Sequence, residues 1–206
     1  MGTLAIKGSR ISYLSHLSEV SHEMDIQQAS AATINESLRK FGIEGHWDKV
    51  PFMLDLQGGR LVDLFDLKEA WPIDGVLSTN GASAVVKGSL GGSNFEEMYS
   101  LHVQINGDRL SVLNEILKTD LPDSAPFMVV ADVLQNTQAI NLNNIQGKLG
   151  SSDISGQLSV QTQDTRQKLI GAFTADVIQI NDFIKNCSWI PPSLLGGGKE
   201  QARGAG

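Results

Sequence analysis

LHVQIN, residues 101–106, puts Leu101, Val103 and Ile105 on one side of an extended chain and His102, Gln104 and Asn106 on the other. FMLDLQ, residues 52–57, does the same with Phe52, Leu54 and Leu56, and GQLSVQ, residues 156–161, with Leu158 and Val160. This period of two is the pattern of half-buried strands. Similar stretches occur at TLAIKG (3–8), ASAVVKGSL (82–90), PFMVVADVL (126–134) and AINLNNI (139–145). The 21 glycines and the Asn-Gly pairs at 80–81 and 106–107 fall between these stretches, where hairpin turns belong. The expected fold is all-β, mainly antiparallel, with repeated strand units and a few short helices.

Helical spacing is confined to short pieces. DRLSVLNEIL, residues 108–117, is the strongest, with Asp108 as its expected N-cap and Leu110, Leu113 and Leu117 on one stripe. GRLVDLFDLKEAW (59–71) and INDFIKN (180–186) are weaker. This is too little amphipathic helix to cover many strands. A sheet with one apolar side must therefore close on itself as a sandwich or barrel, or meet something else apolar, and acyl chains would serve. The alternation is the same in both cases.

A spacing repeat runs through the chain. IKGSRISYL (6–14), LQGGRLVDL (56–64) and INGDRLSVL (105–113) share the order apolar, polar, Gly, any residue, Arg, apolar, two free positions, Leu. FTADVIQIN (173–181) is a fainter copy with Ala175 for the glycine and Val177 for the arginine. Each copy reads as a strand end, a permissive glycine, and a turn whose Leu re-enters the core. Gly8, Gly58 and Gly107 are accordingly expected to share one conformation, with positive φ or a bulge in at least two of them.

Composition narrows the function classes. A formal charge of −7 with scattered basic residues argues against a chain that coats nucleic acid or is held on anionic lipid by charge. The lone Cys187 forms no internal disulfide. MGTLAIKGSRIS lacks the apolar run of a signal peptide or membrane span, so an exported parent would contain this chain as a fragment. His16, His22, His46 and His102 share no ligand spacing with Cys187 or the acidic residues. Asp25, Asp55, Asp63, Asp66 and Asp153 form no acid/base pair by sequence. The Ser and Asp of GSSDISG (150–156) fit turn chemistry, and no G-x-S-x-G elbow is present. GSLGGS lacks the lysine of a phosphate loop. The expectation is a non-enzymatic protein without cofactor or metal.

The run GGRLVDLFDLKEAWPIDG (58–75), then 85–133 with GDRLSVL and LPDSAPF, then NNIQGKLGSSDISGQLSV (143–160) and GAFTADVIQINDF (171–183) resembles the AsmA family of bacterial envelope proteins. The resemblance covers residues 50 to 185, and the earlier part only through the repeat. It implies a long, curved sheet folded into a groove with an apolar inner face, as in bridge-like lipid-transfer proteins. It further implies a role in outer-membrane biogenesis and phospholipid homeostasis, as a middle or C-terminal section of an inner-membrane-anchored, periplasmic protein.

Joined to the alternation, the resemblance nominates Phe52, Leu54, Leu56, Val86, Leu101, Val103, Ile105, Phe127, Val129, Leu158, Val160, Leu169 and Phe173 as lipid contacts. Arg10, Arg60 and Arg109 would stand at the groove rim, where solvated strand-end charges are the plainer explanation. Phospholipid acyl chains and other envelope proteins are the implied partners. The competing expectation is a structural β-module that packs dry and docks protein partners. A single domain over 1–190 and a mobile Gly-rich tail over 191–206 complete the reading.

Overall fold

The computed structural model describes residues 3–14, 21–64, 69–92, 98–163 and 166–183. His16, Asp66, Cys187 and the 191–206 tail lie outside them.

The alternating stretches form strands β1 (Thr3–Leu14), β2 (Ser21–Thr33), β3 (Arg39–Trp47), β4 (Val50–Gly58), β5 (Trp71–Thr79), β6 (Ala82–Leu90), β7 (Tyr99–Gly107), β8 (Phe127–Gln135), β9 (Ala139–Leu149), β10 (Ser152–Gln163) and β11 (Arg166–Thr174). They pair in strict chain order into one eleven-stranded antiparallel sheet that does not close. The closed sandwich or barrel is thereby excluded, and the fold is a curved, open meander. Tight turns supply the short connections: Asp48 and Lys49 both have positive φ between β3 and β4, and Gly81 and Gly150 do so in two further hairpins.

Among the described residues, three helical pieces accompany the meander. α1 (Leu61–Leu64) lies in the β4–β5 connection, a 3-10 turn (Leu110–Leu113) leads into α2 (Asn114–Leu117) between β7 and β8, and α3 (Ile180–Phe183) follows β11. Asp108 is not the cap of the second piece. The flanking position is Arg109, which makes no side-chain capping bond, and the Leu110 N–H donates instead to Oγ of the fully buried Ser124 at 2.8 Å. Nor is Asn106-Gly107 a hairpin turn, because it ends β7 ahead of the helical turns. Trp71 belongs to β5 rather than to a helix.

The repeat holds for two copies, for a different reason from the expected one. Of Gly8, Gly58 and Gly107, only Gly8 has positive φ, in the middle of β1. Gly58 and Gly107 end their strands with an aromatic ring of the next strand laid over them: a Cβ on Gly58 would stand 2.1 Å from the Trp71 ring, and one on Gly107 2.3 Å from the Phe127 ring. Those glycines are needed for close approach rather than for a left-handed turn. Because β4 and β7 are three steps apart in an alternating sheet and so run in opposite directions, the two glycine–aromatic pairs sit at opposite ends of the strands.

Apart from Ala131 in mid-sheet, the deeply buried apolar residues lie toward these ends. Trp71 is 3% exposed and Phe127 6%, with Phe41, Ala125, Ala131 and Leu149 as the other buried hydrophobics among the described residues. Trp71 also donates its indole N–H to the Arg60 carbonyl at 3.0 Å.

Candidate functional site

Residues paired across an antiparallel ladder share a face, so register shows which side chains lie together. One row of pairs runs Ile43, Leu54, Leu77, Ala84, Ile105, Val129, Gly147, Ile154. A second runs Phe41, Leu56, Gly75, Val86, Val103, Ala131. A third runs Gly88, Leu101, Val133, Leu142, Leu158, Gly171. Beside them lie Phe52 opposite Gly45, Phe127 opposite Leu149, Val160 between Ile140 and Leu169, and Phe173 opposite Gly156. Every residue nominated as a lipid contact therefore stands on one continuous apolar face.

That face is not filled. Phe127 is buried, but Phe52, Leu54, Leu56, Val86, Leu101, Val103, Ile105, Leu158 and Val160 are only half-buried, and Val129, Leu169 and Phe173 are exposed. Eleven strands at about 4.8 Å spacing extend it over roughly 50 Å. The helical connections hang over it at both ends. Leu61 and Leu64 of α1 join Ile6, Phe41, Leu56 and Trp71 around an apolar hollow of about 250 Å³. Leu110, Ile178 and Phe183 join Phe127, Val129 and Ile154 around a second of about 220 Å³.

The second hollow is held by a carboxylate latch. Oδ2 of Asp182 accepts the N–H groups of Ser151 and Ser152, both at 2.8 Å, and the Ser152 hydroxyl at 2.9 Å, while its carbonyl accepts the Ala125 N–H at 2.8 Å. Asp182→Ala should cost about 2 kcal/mol by leaving the buried Ser152 without its anionic partner. Faster amide hydrogen exchange at Ser151 and Ser152, with little change in the β2–β6 region, is the expected readout.

The opposite face is polar and lined with ion pairs: Lys40 with Asp55, Lys87 with Asp74, and Arg10 with Asp25 and Glu23. There too Asp132 accepts from Asn144 Nδ2 at 2.7 Å and contacts His102 Nδ1 at 2.7 Å. Asn144, at φ +51, marks the bulge that lets β9 follow β8. Its bond, followed by that of His102, holds the Asp132 carboxyl below the ordinary value of 3.8. A lowered folded value stabilises the protein above the ordinary carboxylate range and loses that contribution as pH falls through the lowered one. The melting-temperature difference between wild type and Asp132→Asn should thus be present at pH 7 and shrink as pH falls below the ordinary carboxylate range.

The three recurrent arginines occupy different settings. Arg10 lies on edge strand β1 with its guanidinium on the polar face, 2.7 Å from Asp25. Arg60 forms a two-pronged pair with Asp63 at 2.9 and 2.7 Å beside α1, and this holds the Asp63 carboxyl below its ordinary value. Arg109 stands 3.4 Å from Asp123.

Several face residues escaped the sequence reading. Phe41, Ile43, Ile73, Leu77 and Leu142 alternate as the others do, but glycines and bulges interrupt their runs, while Val133 and Ile154 extend the alternation of β8 and β10 beyond the nominated residues. No cluster of three or more His, Cys, Asp or Glu side chains able to hold a metal ion exists among the described residues, and no helix there is long and apolar enough to cross a membrane. Comparison with family models, curated proteins and solved structures returned no match.

Proposed function

We propose that this chain is a non-enzymatic lipid-binding segment of an AsmA-like envelope protein, taking part in lipid transport that serves outer-membrane biogenesis and phospholipid homeostasis. The reading places it in the periplasm as part of an inner-membrane-anchored protein. One observation carries it: an apolar face continuous across all eleven strands that the described helical segments cover only at its two ends. Water against so much aliphatic surface is unfavourable by about 25 cal/mol per Å², and an acyl chain gains about 0.8 kcal/mol for each CH₂ it buries. The two hollows suit the ends of such chains, since their linings are almost wholly hydrocarbon.

The arginines contribute little to this picture, because each already has a carboxylate partner. Affinity would come from the strand faces and would be indifferent to headgroup. The test is solvent extraction of the purified chain followed by mass spectrometry. Co-purified phospholipid is the expected result. A lipid-free chain that captures no fluorescent fatty acid would leave the alternative, a β-module whose open face docks a protein.

A further inference from the structure

The open sheet also has two edges, and they are unequal. In β1 the ladder skips a pair: Lys7 faces Gln28 and Ser9 faces Ile26, while Gly8 between them is left-handed at φ +66. A kink in mid-strand blunts an edge against further pairing. β11 has neither a positive-φ residue nor a break in register, and its nine pairs with β10 run without interruption from Ser155 opposite Thr174 to Gln163 opposite Arg166. Among the described residues nothing pairs with its outer side, and Leu169, Ile170 and Phe173 are 68%, 46% and 49% exposed.

We propose that β11 pairs antiparallel with β11 of a second copy of this chain, about a two-fold axis normal to the sheet. Strand direction favours this partner over the other edge. β1 and β11 are both odd-numbered in an alternating sheet, so they run the same way. Joining β11 of one copy to β1 of another with the apolar faces on one side would need a parallel pair in an otherwise antiparallel sheet. Two β11 strands about a two-fold axis continue the alternation and keep both apolar faces on the same side.

Register follows from parity. Full overlap of Arg166–Thr174 with itself centres on Ile170, which meets its own counterpart on the polar face, since Ile170 pairs with Ser159 there. Lys168 then faces Ala172, and the two lysines stand about 13 Å apart along the strands, so no like charges oppose one another. On the apolar face Leu169 covers Gly171 of the partner, as Leu158 already does within the chain. The result is one continuous apolar face across both copies.

Light scattering on the full chain over a concentration series tests this, with an expected mass of twice 22.2 kDa. Ile170→Lys sets two cations against each other at the axis, away from the apolar face, and should weaken the dimer by about tenfold or more with unchanged circular dichroism. Ile170→Glu should do the same, and an equimolar mixture of the two variants should restore the dimer. Ser12→Lys, exposed on the polar face of the β1 edge, should leave it intact. A wild type monomeric throughout, a dimer insensitive to both Ile170 variants, or a mixture that stays monomeric would overturn the proposal. Because mass is the readout, the outcome stands apart from whether lipid is bound.

Discussion

Trp71→Ala is expected to cost about 3–5 kcal/mol, the largest loss of any single truncation among the described residues. The ring is 3% exposed, lies on Gly58 and Gly59, and holds the Arg60 carbonyl through its N–H. Its removal opens a cavity where α1, β4 and β5 come together, and takes from the Arg60 carbonyl one of its two donors, the other being the Asp63 N–H at 3.1 Å. Urea unfolding should show the drop in midpoint. The contrast is Leu54→Ala, on the same sheet, which should cost less than about 2 kcal/mol because the side chain is smaller and already half in contact with water. Equal losses at the two positions would mean that the apolar face is a dry core after all. The same logic extends to Gly58→Val, where the added atoms would collide with the indole and the strand end would have to move.

The period-two signal carried the strand content and the shared face, because alternation in a half-buried strand is a direct consequence of backbone geometry. It carried β4, β7, β8 and β10 cleanly. It failed where a bulge reverses parity. In β2 the register against β3 slips between Ile26 and Gln28, so Met24 and Ile26 share a face with Ala29 and Ala31, and simple alternation cannot link the two halves. SHEMDIQQASAAT consequently reads as polar coil. β9 does the same at Asn144, joining Ile140 and Leu142 to Ile145 and Gly147. The glycine repeat was legible as spacing but not as mechanism, since the aromatic that needs the missing Cβ comes 13 residues after Gly58 and 20 after Gly107. Whether the sheet closes was not legible at all. Inward alternation is identical in a sandwich and an open meander, and only the pairing of β1 and β11 distinguishes them.

Val103→Asp should abolish lipid retention while leaving the chain folded. Val103 stands in mid-face between Val86 and Ala131, away from the two capped hollows, and is half-buried. With the face empty, the new carboxylate stays in water, so the melting temperature should fall by only a few degrees, corresponding to about 1 kcal/mol. With an acyl chain over it, the carboxylate must shed that water and gains no hydrogen bond in return, at a cost of about 3 kcal/mol or more. That is roughly a hundredfold loss of affinity, enough to empty the face during purification. The same substitution in a closed core would have no hydrated state to fall back on and would unfold the protein. The measurement is therefore double: extractable phospholipid per chain, and a thermal melt of the same sample. Lipid lost with the fold retained supports the binding face. A variant that unfolds, beside a wild type that never carried lipid, would defeat it, since the face would then be occupied by protein and the aspartate would be paying the cost of a buried charge.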